Sequence, residues 1–112
     1  MIKVAIPMSS GHAALHFENS NQFLIYKISI SNLKVISKQL SSDIIISPEL
    51  IPQILFMHGV KFVFARRVSR KMAKMLSDNK IQLFAGVPEQ QPDKLIEDFL
   101  EGELITDNSM CF

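Results

Sequence analysis

At 112 residues, with 47% hydrophobic and 21% charged side chains, the chain has the composition of one globular domain rather than a disordered or two-domain protein. Every long apolar stretch is broken by Lys, Ser or Pro well before the roughly 18 residues a membrane span needs, and one cysteine cannot form an internal disulfide. No charged head, apolar middle and cleavage site is read at the N-terminus, so the expected compartment is a reducing cytoplasm.

The run Ile2-Lys3-Val4-Ala5-Ile6-Pro7 reads as a buried strand, with Pro7 closing it. Met8 to Asn21 is polar, contains Ser9-Ser10-Gly11 and reads as a loop carrying His12 and His16. Phe23 to Ile30 is rich in aromatic and β-branched residues and predicts a strand. Ser31-Asn32 then predicts a tight turn into a second strand, Leu33 to Gln39, forming an antiparallel hairpin. The run Ile44-Ile45-Ile46 reads as a brief strand.

Ser47-Pro48-Glu49 has the chemistry of a helix start, and Leu50, Ile51, Ile54 and Leu55 share a face before Gly59 stops the segment. Lys61 to Ala65 predicts a strand, and Val68, Met72, Met75 and Leu76 follow at helical spacing. Ile81 to Ala85 predicts another strand. Pro92 and Asp93 open a last helix with Leu95, Ile96, Phe99 and Leu100 on one face and Gly102 after it. A hairpin followed by alternating helices and strands implies an α/β fold with a mixed sheet.

The net charge of +1 conceals a strong separation. Residues 61–80 hold seven cations against Asp78 alone, whereas residues 89–112 hold seven acids against Lys94 alone. Such a dipolar surface can steer an anion to one side or pair two copies as a homodimer; the plain alternative is two solvated helix faces. Arg66 and Arg67 fall at the expected N-terminus of the second helix, with Arg70, Lys71 and Lys74 on its face. Cations there oppose the helix dipole, at a cost of roughly 0.3–1 kcal/mol each, unless an anion or neighbouring Asp and Glu residues compensate.

Element order and several short motifs together resemble the dinitrogenase iron-molybdenum cofactor biosynthesis family. The motifs are the opening strand ending in Pro7, then His16-Phe17-Glu18 with Ser20, then Phe23-Leu24-Ile25-Tyr26. Leu55, Gly59-Val60, Phe62-Val63-Phe64, Ile81 to Gly86 and Phe99 to Leu104 extend the likeness along nearly the whole chain. The resemblance implies a ribonuclease H-like three-layer fold for a single domain spanning 1–112. It also implies a role in metal-cluster assembly, as in nitrogen fixation. Two positions depart from the family pattern. Glu18 replaces the glycine after His-Phe, and Arg66-Arg67-Val68-Ser69 replaces a glycine-rich turn.

By the same resemblance, His16 is the match of the histidine implicated in holding an iron-sulfur or iron-molybdenum cluster. Neutral imidazole ligates iron, and one ligand can hold a cluster that brings its own sulfides. The other reading of His16 is a loop histidine that hydrogen-bonds backbone. His12 is a second candidate ligand. Cys111, beside Met110, is a soft ligand in a tail or simply a tail residue. No Cys/His set with zinc spacing is present, so a metal here is carried cargo rather than a structural ion. Arg66, Arg67 and Arg70 would neutralise the anionic cluster.

Enzyme readings fare badly. The first three strands contain no Asp or Glu for a two-metal nuclease, and no nucleophile elbow, Walker loop or dinucleotide fingerprint is present. The basic face lacks a nearby aromatic platform for stacking bases, which weighs against nucleic acid. The expectation is therefore a non-enzymatic carrier or chaperone that exchanges its cluster with assembly or acceptor proteins. The alternative is a regulatory or protein-interaction domain of this fold that has lost cofactor binding.

Overall fold

The computed structural model describes residues 1–41 and 48–112. The expected strand at Ile44, Ile45 and Ile46 and the cap at Ser47 lie outside the described residues. The strands are β1 (Ile2–Ser9), β2 (His12–Ala13), β3 (Gln22–Ser29), β4 (Lys34–Ser41), β5 (Val60–Phe64) and β6 (Gln82–Phe84). The helices are α1 (Ile51–Met57), α2 (Arg70–Asp78) and α3 (Pro92–Leu100). The six strands form one mixed sheet in the order β4-β3-β1-β5-β6, with β2 paired to the end of β1. β4, β3 and β1 run antiparallel, whereas β1, β5 and β6 run parallel.

The sheet is covered on both faces because successive side chains point to opposite sides and the central strands β1, β3 and β5 are apolar along most of their length. Ala5, Phe23 and Val63 point to one face, where Ile51 and Leu55 of α1 and Met72 and Leu76 of α2 pack on them. Val4, Ile6, Tyr26 and Phe64 point to the other, under Leu95 and Ile96 of α3. Each fully buried Leu or Ile contributes about 1.5–3 kcal/mol relative to exposure. Four rings, Phe62, Phe64, Phe84 and Phe99, lock α3 to β5 and β6 with centroids 5.1–5.9 Å apart, mostly edge to face. The basic helix and the acidic helix thus lie on opposite sides of the sheet.

Three local expectations change. Pro7 does not close β1, which runs on to Ser9; the ladder to β5 has already ended at Ala5, so the missing proline N–H leaves no gap in it. The hairpin connection spans residues 30–33, because Ser29 pairs with Lys34 and Leu33 adopts a left-handed φ of 54°. The second helix begins at Arg70 rather than Val68, since the Ser69 hydroxyl accepts the Met72 N–H at 3.0 Å as its N-cap. Val68 is buried all the same, in the cluster with Met72 and Leu76.

Candidate functional site

The loop carrying the two histidines is anchored by Phe17. Its ring is fully buried, 5.6 Å from that of Phe23, and the Ser20 hydroxyl donates to the Phe17 carbonyl at 2.7 Å. With Phe17 fixed inward in a short 3-10 turn, its neighbour His16 is exposed at the surface. Backbone then ties the loop to residues 66–69: Phe17 N–H donates to the Arg67 carbonyl at 2.8 Å, and Arg67 N–H donates to the Leu15 carbonyl at 3.0 Å. His16 and Arg67 thereby form a parallel bridge.

The other edge of the same segment is taken by residues 110–112. Val68 N–H donates to the Met110 carbonyl at 3.1 Å, and Phe112 N–H donates to the Val68 carbonyl at 2.8 Å. Cys111, half-buried with a free thiol, bridges Val68. His16, Arg67 and Cys111 therefore belong to three adjacent extended pieces of chain. The cysteine expected in a loose tail is held in register by this pairing.

Arg67 has the most unusual surroundings of the group. Its guanidinium carbon lies 4.3 Å from the centre of the Phe112 ring, and its Nε is buried with no acceptor among the described residues. A cation over an aromatic face contributes about 0.5–2 kcal/mol, but a buried donor left unpaired costs about 1–3 kcal/mol. Arg66 is half-buried and 3.8 Å from the Glu89 carboxylate. Leu15, Arg66, Arg67, Val87, Glu89 and Met110 enclose a hollow of about 460 Å³.

His12 stands on β2, exposed, and borders a second hollow of about 310 Å³ with Glu89, Gln90 and Gln91. The Gln90 Oε1 is buried there without a donor among the described residues. The two hollows share only the Glu89 wall, so His12 and the arginines border neighbouring spaces rather than one.

The arginines do not sit at the start of a helix as expected. Arg66 and Arg67 precede α2, and only Arg70, exposed, opens it. Three amides around the start of α2 are already taken by the protein itself. The Glu18 carboxylate accepts the Ser69 N–H at 2.9 Å, the Phe112 carbonyl accepts the Arg70 N–H, and the Ser69 hydroxyl takes Met72 N–H. Counter-charge for the basic segment comes from several places. Glu18 sits at the helix start, Glu49 lies 3.6 Å from Lys71, and Glu89 faces Arg66 from the acidic segment.

Sequence reasoning missed two residues here. Glu18 was visible as an acid beside His16, but its reach to Ser69, 51 positions away, was not. Gly86 has φ +70°, and an added Cβ would meet the Asp107 carbonyl oxygen at 2.5 Å; glycine permits both the turn and the close approach of the C-terminal segment. Among the described residues, the one group of three potential metal ligands within 4.8 Å of each other is Asp98, Glu101 and Glu103 at the end of α3. It includes neither His16 nor Cys111, and Lys94 already engages Asp98 at 2.9 Å. No described helix is long and apolar enough to cross a membrane.

Comparison with known proteins adds a family. A search of curated proteins finds no match. Among solved structures, PH0822 superposes with a TM-score of 0.86 at 21% identity, over 97% of each chain. A candidate dinitrogenase from Methanocaldococcus jannaschii matches with a TM-score of 0.74 at 27% identity, covering 96% of this chain and 95% of the other. The apo orange protein of Desulfovibrio gigas, at 12% identity and a TM-score of 0.72, covers 96% and 94%. The two below 25% identity share the fold. The family model described as dinitrogenase iron-molybdenum cofactor matches residues 1–102, and the chain belongs to that family.

Proposed function

We propose that this protein is a non-enzymatic carrier of an anionic iron-sulfur or iron-molybdenum type cluster, with ribonuclease H-like architecture and one domain. The observation that carries the reading is the buried Arg67 Nε, which has no acceptor among the described residues, in the segment that His16 and Cys111 flank by backbone bridges. An anionic guest would supply the acceptor this donor lacks, turning a local cost into a charge-assisted hydrogen bond. Exposed His16 offers an imidazole with no partner among the described residues, and Cys111 offers a thiol that binds metal as thiolate. Arg66, Arg67 and Arg70 offset the guest's negative charge, and His12 is an accessory ligand from the neighbouring hollow. So few protein ligands suit cargo that must leave again, in the cytoplasm, for assembly or acceptor proteins.

Anaerobic addition of a reconstituted iron-sulfur or thiomolybdate source tests this directly. Wild type gains a charge-transfer absorption, His16→Ala loses most of it, and Arg67→Met weakens retention by roughly tenfold, one charged hydrogen bond's worth. Equal absence of colour in wild type and variants overturns the reading.

One observation favours a second reading, a regulatory or interaction domain without cargo. Glu18 supplies a resident carboxylate at the start of α2, where an external anion would otherwise sit. Under that reading, removing the Glu18 carboxylate does not create cluster binding.

A further inference from the structure

The β3–β4 hairpin has an apolar face that no described element covers. By register, Val35 lies opposite Ile28, Lys38 opposite Tyr26 and Leu40 opposite Leu24, so these β4 residues share the side of the sheet on which α3 packs. The layer on that side stops short of the hairpin: Leu33, Val35 and Leu40 are 58%, 46% and 52% exposed. Between them and α3 runs a groove of about 730 Å³, floored by Tyr26, Leu33, Val35, Ile96 and Leu100.

Its rim is acidic. Asp93 is already engaged by the Tyr26 hydroxyl and, at 2.9 Å, by Lys38. Glu97, Glu101 and Glu103 line the same groove and have no ion-pair partner among the described residues. An apolar trough beside a helix, walled by exposed carboxylates, is charge-complementary to one kind of occupant. We propose that it seats a basic amphipathic helix of a partner protein, lying alongside α3 with its apolar stripe on Val35 and its Lys or Arg flank against Glu97 and Glu101.

Three features make that choice. The groove follows α3, whose nine residues extend about 14 Å, so about two and a half turns of a helix match it, with anchors at i, i+3 or i+4, and i+7. Anionic lipid headgroups and nucleic acids are repelled by the same carboxylates. A second copy docked about a two-fold axis would set one acidic rim against its equal, since an isologous interface opposes identical patches.

Two synthetic helices of about 14 residues with the same Leu/Ile stripe, one flanked by Lys and one by Glu, are titrated into the isotope-labelled full chain. The Lys-flanked peptide shifts the amides of Val35, Lys38, Ile96 and Leu100 and binds at least tenfold more tightly than its Glu-flanked twin. Charge reversal in Glu97→Lys/Glu101→Lys, both exposed, erases that preference, as does raising the salt; Lys74→Glu on the far side of the sheet changes nothing. Equal affinity of the two peptides, shifts that map elsewhere, or no shifts at about 1 mM peptide overturn the proposal. So does a dimer in sedimentation that Val35→Asp dissociates, for then a second copy covers the face.

Discussion

Replacing Gly86 by alanine probes how residues 107–112 are held over the site. The added methyl would fall 2.5 Å from the Asp107 carbonyl oxygen and 2.7 Å from its N and Cβ, and all but the last are backbone that cannot swing aside. Two costs combine. A left-handed alanine costs about 1–2 kcal/mol. Moving Asp107 breaks its N–H bond to the Ala85 carbonyl at 2.8 Å, worth a net of about 0.5–1.5 kcal/mol. Reduced freedom of the unfolded chain returns about 0.4–1 kcal/mol, leaving a net loss of about 0.5–3 kcal/mol. For a domain of this size that lowers Tm by about 2–12 °C.

Gly102→Ala is the internal control, because Gly102 also has a positive φ (+74°) but nothing lies within 4 Å of an added Cβ. Thermal melts of the two variants separate the conformational cost from the contact cost. Amide exchange then reports whether Val68 and Phe112 lose protection as the segment lifts. If Gly86→Ala melts no lower than Gly102→Ala and both amides stay protected, the close approach of Asp107 does not hold the segment, and the reasoning fails.

Two further outcomes follow from contacts around the site and the hairpin. Glu18→Ala leaves the Ser69 N–H without its carboxylate and removes a favourable charge from the start of α2, so urea melts should show about 1–2 kcal/mol of destabilisation; a change below about 0.3 kcal/mol would remove Glu18 from that role. Burial first, and then the hydrogen bond to Asp93, hold the Tyr26 hydroxyl far above its ordinary value. Its contribution to stability is therefore complete below about pH 10 and drains away as the pH rises beyond that. The Asp93 carboxyl is lowered, chiefly by the Tyr26 hydroxyl and then by Lys38, so its contribution is present above about pH 4 and lost as acid protonates it. Tyr26→Phe should flatten both limbs of a stability-against-pH curve, and an unchanged curve would show that the pair is not coupled.

Elements with strong apolar periodicity were legible in the sequence; those set by partners distant in the chain were not. Phe23 to Ile30 is dense in aromatic and β-branched residues and Leu95 to Leu100 has a helical period, and they became β3 and α3. Val68 fits the helical pattern of Met72 and Leu76 but lies outside α2, because Ser69 has the better side chain for a cap and Val68 has tertiary strand partners. Pro7 reads as a terminator, yet it sits where its missing donor is not needed.

At the site, the sequence placed His16 on a polar loop and Cys111 near the end of the chain. It could not say that both lie beside residues 67 and 68. Those bridges depend on backbone groups, which every residue carries alike. The positive cluster was plain, but its resident counter-charges were hidden, since Glu18 and Glu49 reach it only through the fold.

Charge is partitioned across the thickness of the sheet, α2 on one side and α3 on the other, within a molecule whose sum is +1. Near neutral pH such a particle should be retained by both anion- and cation-exchange media at low ionic strength, each gripping a different pole. Its retention would then track orientation rather than total charge, and its isoelectric point would be a poor guide to how it travels.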